Sequence, residues 1–285
     1  MKTINNFIKK WLFLSLITFL MIGAVPANAT GGGPEANAAV KHGVNLQWWQ
    51  SLSMVWKQYF ITKVGVNRNP TPDDFNKIYN LQSIDCSRRP IRTLRPVSVL
   101  KNLKILWCDN TQITDLSPVK GLTNLVHLNF AETRVVNIDP IAGLTNLKKL
   151  EFYKTQVSQI RAITGLTNLK VVDCSSTPVS NIGYISKLSN LEVFYFNNTK
   201  VTSLAALERL TKLKEVSFLR TPVNNLSPLK NLPLLKEVVF QYTNVSSLEP
   251  LNNMNQLKVI YCENTKVSAD EIQRFKAKHP SCEVY

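Results

Sequence analysis

No pattern in this sequence marks a catalytic or metal centre. It has no Cys-x-x-Cys, no His-Glu-x-x-His and no glycine-rich phosphate loop. The three histidines, His42, His127 and His279, fall far apart, and no His-based ligand set is expected. Glycine is scarce, ten in 285 residues, and Gly121, Gly143 and Gly165 recur at one fixed interval, which marks them as structural. Acids are few too: 19 against 34 Lys and Arg, a formal net charge of +15. Carboxylates that could meet across neighbouring strands are read as solvated side chains rather than as a hydrolytic pair. Beyond the first 29 residues no apolar run approaches the roughly 20 residues of a membrane-spanning helix. The expectation is a chain that is not an enzyme, holds no cofactor or metal and does not span a membrane in its mature form.

The one long apolar run lies at the start. Lys9 and Lys10 precede Trp11 to Val25, and Ala27-Asn28-Ala29 supplies small residues where a signal peptidase reads them. Residues 1–29 are therefore expected to be a secretory signal peptide and the mature chain to be exported, to a periplasm, the cell surface or the medium. Residues 30–43, with four Gly and three Ala, read as a flexible leader.

From Asn80 the chain is built of nine successive 22-residue units, which run through residue 277 without insertion. Position 2 is Leu in all nine units, from Leu81 to Leu257. Position 7 is either Phe or Cys (Cys86, Cys108, Phe130, Phe152, Cys174, Phe196, Phe218, Phe240, Cys262), and position 12 is always Ile or Val. Position 10 is Thr in every unit but the first, which has Arg89. Apolar residues at positions 5 and 7 alternate with polar ones, the mark of a short strand with one buried face. A turn of this coil cannot cover its own apolar side, but stacked turns can, with their strands parallel and about 4.8 Å apart. Pro at position 17 (Pro96, Pro118, Pro140, Pro228, Pro250) favours a tight return over a long helix. The buried Thr hydroxyl at position 10 should bond to backbone at the turn, since an unpaired buried polar group is costly.

The pattern Leu125-x-x-Leu128-x-Phe130-x-x-Thr133-x-Val135, with returns such as Leu226-Ser-Pro-Leu229, resembles the leucine-rich-repeat family, in particular its bacterial, exported, internalin-like subtype. Thr stands where many members carry Asn. The resemblance covers about 200 of the 285 residues. It implies an α/β fold: a right-handed solenoid with parallel strands on a concave face, short 3-10 or irregular returns, and use of that face for protein recognition.

Both ends need caps. Leu46, Trp49, Leu52, Trp56 and Phe60 recur at helical spacing, and Thr71, Pro72 and Asp74 mark the start of a second helix, so residues 44–79 are expected to form a helical N-terminal cap with those side chains in its core. Near the C-terminus, Ser268 and Glu271 fit a capping box, Ile272 and Phe275 would be buried, and residues 278–285 read as a capping strand with Cys282 and Val284 at positions 5 and 7 of a tenth unit. Four of the five cysteines share position 7 with Phe and read as buried apolar side chains. Distance alone does not exclude a Cys86–Cys108 bridge, but parallel side-chain vectors disfavour it.

Positions 4, 6, 8 and 9 should face out of the strands. They carry eight acids against four bases, although the chain as a whole is basic, which is the reverse of a nucleic-acid groove. They also carry Trp107, Tyr153, Tyr195, Leu219, Tyr242 and Tyr261, large interface-type side chains outside the buried stripe, with Glu151 and Asp173 among the acids. These eight residues are the expected partner-binding set for a monomeric module that takes a protein of unknown identity. An alternative set is a lysine rim at position 3 (Lys104, Lys148, Lys170, Lys214, Lys236, Lys258), suited to anionic envelope polymers or glycans.

Overall fold

A computed structural model describes Val40 and residues 43–285. The expected signal peptide and nearly all of the expected leader lie outside the described residues.

Ten parallel strands form one sheet in strict sequence order: β1 Ser83–Asp85, β2 Ile105–Trp107, β3 His127–Asn129, β4 Lys149–Glu151, β5 Val171–Asp173, β6 Val193–Tyr195, β7 Glu215–Ser217, β8 Glu237–Val239, β9 Val259–Tyr261 and β10 Glu283–Val284. From β1 to β9 each residue pairs with its equivalent in the next unit, as in Leu128 with Leu150. Each turn returns through a short 3-10 segment such as Ser117–Val119 or Ser227–Leu229, with Pro in its first two positions in five of the eight. The third turn shows the packing rule. Leu125, Leu128, Phe130, Val135, Ile138, Ile141 and Leu144 are all buried, seven apolar side chains from a single turn. The position-7 rings stack along the interior: Phe130 on Phe152 at 5.7 Å, Phe196 on Phe218 at 5.6 Å and Phe218 on Phe240 at 5.9 Å. The cysteines of position 7 stand in the same row, and all five thiols of the chain are free. Burial pushes the Cys86 thiol up to about 12, so it stays protonated and behaves as a small apolar group.

Each turn leaves its strand by one repeated device. The Thr hydroxyl at position 10 donates to the carbonyl oxygen at position 7, as in Thr133 Oγ1 to Phe130 O at 2.7 Å, in all eight turns that carry Thr. The residue before it, at position 9, is left-handed in every turn, with φ between 51° and 57°, and none of the nine is Gly. In the first eight turns its N–H donates to the position-8 carbonyl of the next turn, as in Arg88 N to Asp109 O at 2.9 Å. A side chain in this conformation costs about 1–2 kcal/mol against Gly. Arg88→Gly is therefore expected to stabilise the fold by about 0.5 kcal/mol after the entropic cost of glycine, and Arg88→Val to destabilise it by more than about 1 kcal/mol. Urea denaturation checks the order; a Val variant as stable as the Gly variant would show that the ladder bond, not the φ angle, sets the energy.

Both caps depart from expectation in detail. The first aromatic stretch is two short helices, α1 Leu46–Ser51 and α2 Met54–Tyr59, followed by one π turn at Phe60–Val64. Leu52 and Ser53 are extended between α1 and α2, and Leu46, expected in the core, is 54% exposed. Trp49, Leu52, Trp56 and Phe60 are buried, and the Tyr59 hydroxyl accepts from Asp85 N–H, which closes the outer edge of β1. Helix α3, Pro72–Tyr79, carries the full Thr71–Asp74 capping box. Asp74 is buried, yet bonds from Asn67, Thr71 and Lys77 outweigh its burial and hold its carboxyl down at about 2.

At the other end, α4 Ala269–Lys278 replaces a 3-10 return. Ser268 accepts from Glu271 N–H, but the reciprocal half of the box does not form. The Glu271 carboxylate reaches back one turn and accepts from Leu248 N–H at 2.6 Å and Ser247 Oγ at 2.9 Å. Phe275 is buried and Ile272 only partly so. The longer return shifts the register: Ile260 pairs with Val284, two places further along the chain than the repeat would put its partner. Val284 thus stands at position 5, not 7, and Tyr285 comes to position 6. A shift by two keeps the same side chains facing inward, so Val284 stays buried.

Candidate functional site: the outer face of the sheet

The outward positions of β1–β10 form one row of short cross-strand neighbours. The large side chains stand partly clear of it. Trp107, Tyr153, Tyr195, Leu219 and Tyr261 are half-buried, and Tyr242 is 41% exposed. Between them lies a floor of small or polar side chains that the neighbours cover: Ala131, Asp173, Ser175, Asn197, Ser217 and Val239 are all buried. Asp173 therefore departs from the expectation of an open acidic contact. Its residue is only 5% exposed, because β5 stands between Glu151 on β4 and Tyr195 on β6.

Two clusters share this face. In the first, Asp109 accepts from Ser87 Oγ at 2.6 Å and Asn129 Nδ2 at 3.3 Å, and Glu151 pairs with Lys149 at 3.1 Å on the same strand. Burial raises the Glu151 carboxyl, with Lys149 opposing it. Burial also pushes Asp173 up to about 7, against bonds from Ser175, whose N–H donates at 2.9 Å, and with help from the charge of Glu151. The Tyr153 phenol is raised by burial and then by Asp109, Glu132, Glu151 and Asp173, four carboxylates around one ring. His127 is lowered, first by burial and then by Lys149 and Lys148, which keeps it a neutral imidazole on the face.

The second cluster runs from β6 to β10. Tyr195 donates its hydroxyl to Glu215 Oε1, and Tyr261 stacks on Tyr285 at 5.1 Å. Burial raises both the Tyr195 and Tyr261 phenols, and Glu215 and Glu237 act on both, so these rings share one acidic field. Asn197 Oδ1 accepts from Ser217 Oγ and from Leu219 N–H, which locks the floor beneath Leu219. Arg220 lies over the Tyr242 ring at 5.1 Å, a cation–π contact at the turn edge. Of the four bases on the face, Lys149 and Lys154 are paired with Glu151 and Glu132, which matches half of the positive charge there, and Arg220 is held by its stacking on Tyr242.

Sequence reasoning did not single out Tyr285 and Glu283, which face outward in either register; the two-residue shift that α4 introduces is what sets Tyr285 directly beside Tyr261. It also missed Glu192 on the lysine rim. All six rim lysines are exposed, but Glu192 accepts from Lys170 at 2.9 Å and from Lys214 on its other side, so one acid lowers the positive charge in the middle of the rim. Among the described residues no group of three His, Cys, Asp or Glu side chains could hold a metal ion, and no helix is long and apolar enough to cross a membrane.

A parallel coil of 22-residue turns with one leucine-lined interior defines the class: the chain is a leucine-rich-repeat solenoid. The family profile for leucine-rich repeats (two copies) matches residues 79–121. Internalin C2 of Listeria monocytogenes is similar over 73% of this chain and 92% of its own, at 28% identity and a TM-score of 0.68. A leucine-rich-repeat protein of Leptospira interrogans covers 75% of this chain with 56% of its own, at 21% identity and a TM-score of 0.70. A plant peptide hormone receptor in complex with RGF2 shares the fold at 14% identity and a TM-score of 0.62, over 73% of this chain and 36% of its own. No curated protein matches. The repeat is of the internalin-like kind.

Proposed function

We propose that this chain is an exported, non-catalytic, monomeric binding module that takes a protein partner on the outer face of its sheet. Trp107, Tyr153, Tyr195, Leu219, Tyr242 and Tyr261 anchor the partner, and the acids around them, Glu151 included, select a basic one. The carrying observation is the relief of the face: half-exposed rings stand over a floor of buried small side chains held by their own bonds, as in Asn197 with Ser217 and Leu219. Large, stiff rings on a locked floor lose little entropy on binding. The plant receptor captured with a peptide shows that a solenoid of this fold can hold a polypeptide. Export rests on the basic-then-apolar start and the Ala27-Asn28-Ala29 cleavage pattern.

The test is to capture a partner from envelope and medium fractions and measure its affinity for single-site variants. Trp107→Ala and Tyr195→Ala should each weaken binding by about tenfold or more, as interface anchors do, with melting temperatures close to that of the parent. Equal affinity in every anchor variant would reject the site. The lysine rim supports a second reading, binding of anionic envelope polymers, favoured by the exposure of all six lysines. It requires binding that collapses between low and high salt and fails in Lys148→Gln, Lys236→Gln and Lys258→Gln.

A further inference from the structure

The charge of this chain is unevenly placed. Positions 43–101, the cap and first turn, hold nine Lys and Arg against three acids, a net charge of +6. Positions 102–285 hold 21 against 15, the same +6 spread over a stretch about three times as long. Within the cap, Asp74 is already engaged by Asn67, Thr71 and Lys77. The cap also carries two of the chain's large exposed apolar side chains, Met54 at 76% and Leu46 at 54%. Leu46 lines an open cleft of about 560 Å³ together with Trp49, Lys57 and Arg68, and Met54 stands one helical turn before Lys57 in α2. No acid lines the cleft.

Apolar tips flanked by cations fit one kind of surface: an anionic lipid headgroup layer with acyl chains beneath it. A soluble polyanion would use the cations but leave Leu46 and Met54 without a role. We infer that the N-terminal cap docks on an anionic membrane surface, with Lys57 and Arg68 at the phosphates and Leu46 and Met54 inserted between headgroups. The sheet face, on other elements, remains open for its own partner, so docking does not depend on the binding function proposed above.

The hydrophobic core begins at Val44, so a chain starting at Thr30 keeps all of it and is free of the apolar run that would itself bind lipid. That chain should co-sediment with vesicles of equal parts phosphatidylglycerol and phosphatidylcholine and not with phosphatidylcholine alone. Lys57→Gln with Arg68→Gln should weaken vesicle binding by about 25-fold, near fivefold for each charge. Leu46→Ser with Met54→Ser should weaken it by about tenfold or more. Tyr195→Ala, on the sheet face, should leave it unchanged, which separates this reading from the first. Three results overturn the inference: no binding to anionic vesicles at low salt; binding lost with the charges but indifferent to Leu46 and Met54, the behaviour of a polymer site; or a concentration-dependent dimer abolished by the serine pair, which would assign the apolar tips to a second copy of the chain.

Discussion

Replacing Phe218 by Ala is expected to cost about 3–5 kcal/mol and to loosen the solenoid at its seventh turn. Phe218 is fully buried and is the middle ring of a three-ring stack, 5.6 Å from Phe196 and 5.9 Å from Phe240, with interplanar angles of 14° and 17°. The truncation removes the apolar area of the ring and both stacking contacts, each worth about 0.5–1.5 kcal/mol beyond area. In a repeat array a turn contacts only its neighbours, so the loss falls on two interfaces at once and can uncouple the turns on either side. Urea denaturation should show a lower midpoint for Phe218→Ala and a shallower or split transition, the sign of lost coupling. Phe218→Leu keeps most of the volume and should cost only about 1–1.5 kcal/mol with the transition still single. Comparable losses for Ala and Leu would mean that the row is held by something other than ring packing.

The second large effect is one of pH. Asp173 has its carboxyl raised from 3.8 to about 7 by burial on the sheet face, so the folded chain holds its proton more tightly than the unfolded chain does. The favourable contribution of the protonated form is complete below about pH 4. It is lost as pH rises towards 7, where the folded state must also bear the buried charge. Three pH units correspond to a limit of about 4 kcal/mol, and relaxation of the face reduces that to about 2 kcal/mol. Asp173→Asn can still accept from Ser175 N–H and carries no charge. It should therefore exceed the parent in stability by about 2 kcal/mol at pH 8 and match it at pH 4. Asp74 works in the opposite window: its carboxyl is lowered to about 2, so its contribution is present above pH 4 and is lost as pH falls towards 2. Subtracting the two stability–pH curves isolates Asp173, because Asp74 is common to both. A constant difference from pH 4 to pH 8 would show that Asp173 is ionised throughout.

Much of the coil was legible because each of its features is local and recurs from unit to unit. The alternation at positions 5 and 7 marks strands, and Pro at position 17 marks a short return. Thr at position 10 has a backbone carbonyl within reach three residues back. The left-handed turn at position 9 was not legible. Its occupants range from Arg88 to Tyr242 and include no Gly, so no residue type marks it along the chain, and in eight of the nine turns a bond to the next turn accompanies the angle. The break between α1 and α2 escaped for a related reason: helical spacing continues across Leu52 and Ser53 although the backbone there is extended.

The candidate site was legible only in outline. Alternation assigns a side chain to the outward face, but how far it emerges depends on the sizes of its equivalents in the turns before and after it. Asp173, between Glu151 and Tyr195, and Val239, beside Tyr261, point outward and are nevertheless buried, while Tyr242 at a turn edge emerges. The rim follows the same logic: along the chain Glu192 is one acid in a row of lysines, and in the folded coil it bridges Lys170 and Lys214.

Periodicity in the chain alone determined the register, the inward rows and the identity of the residues that the nine repeats offer to the outward face, because each of these follows from counting along one strand. Tertiary structure decided which of those residues reach solvent, which acid meets which base and where Tyr285 comes to rest. Those outcomes depend on distances between turns and on the length of one terminal helix, and neither is written in any single repeat.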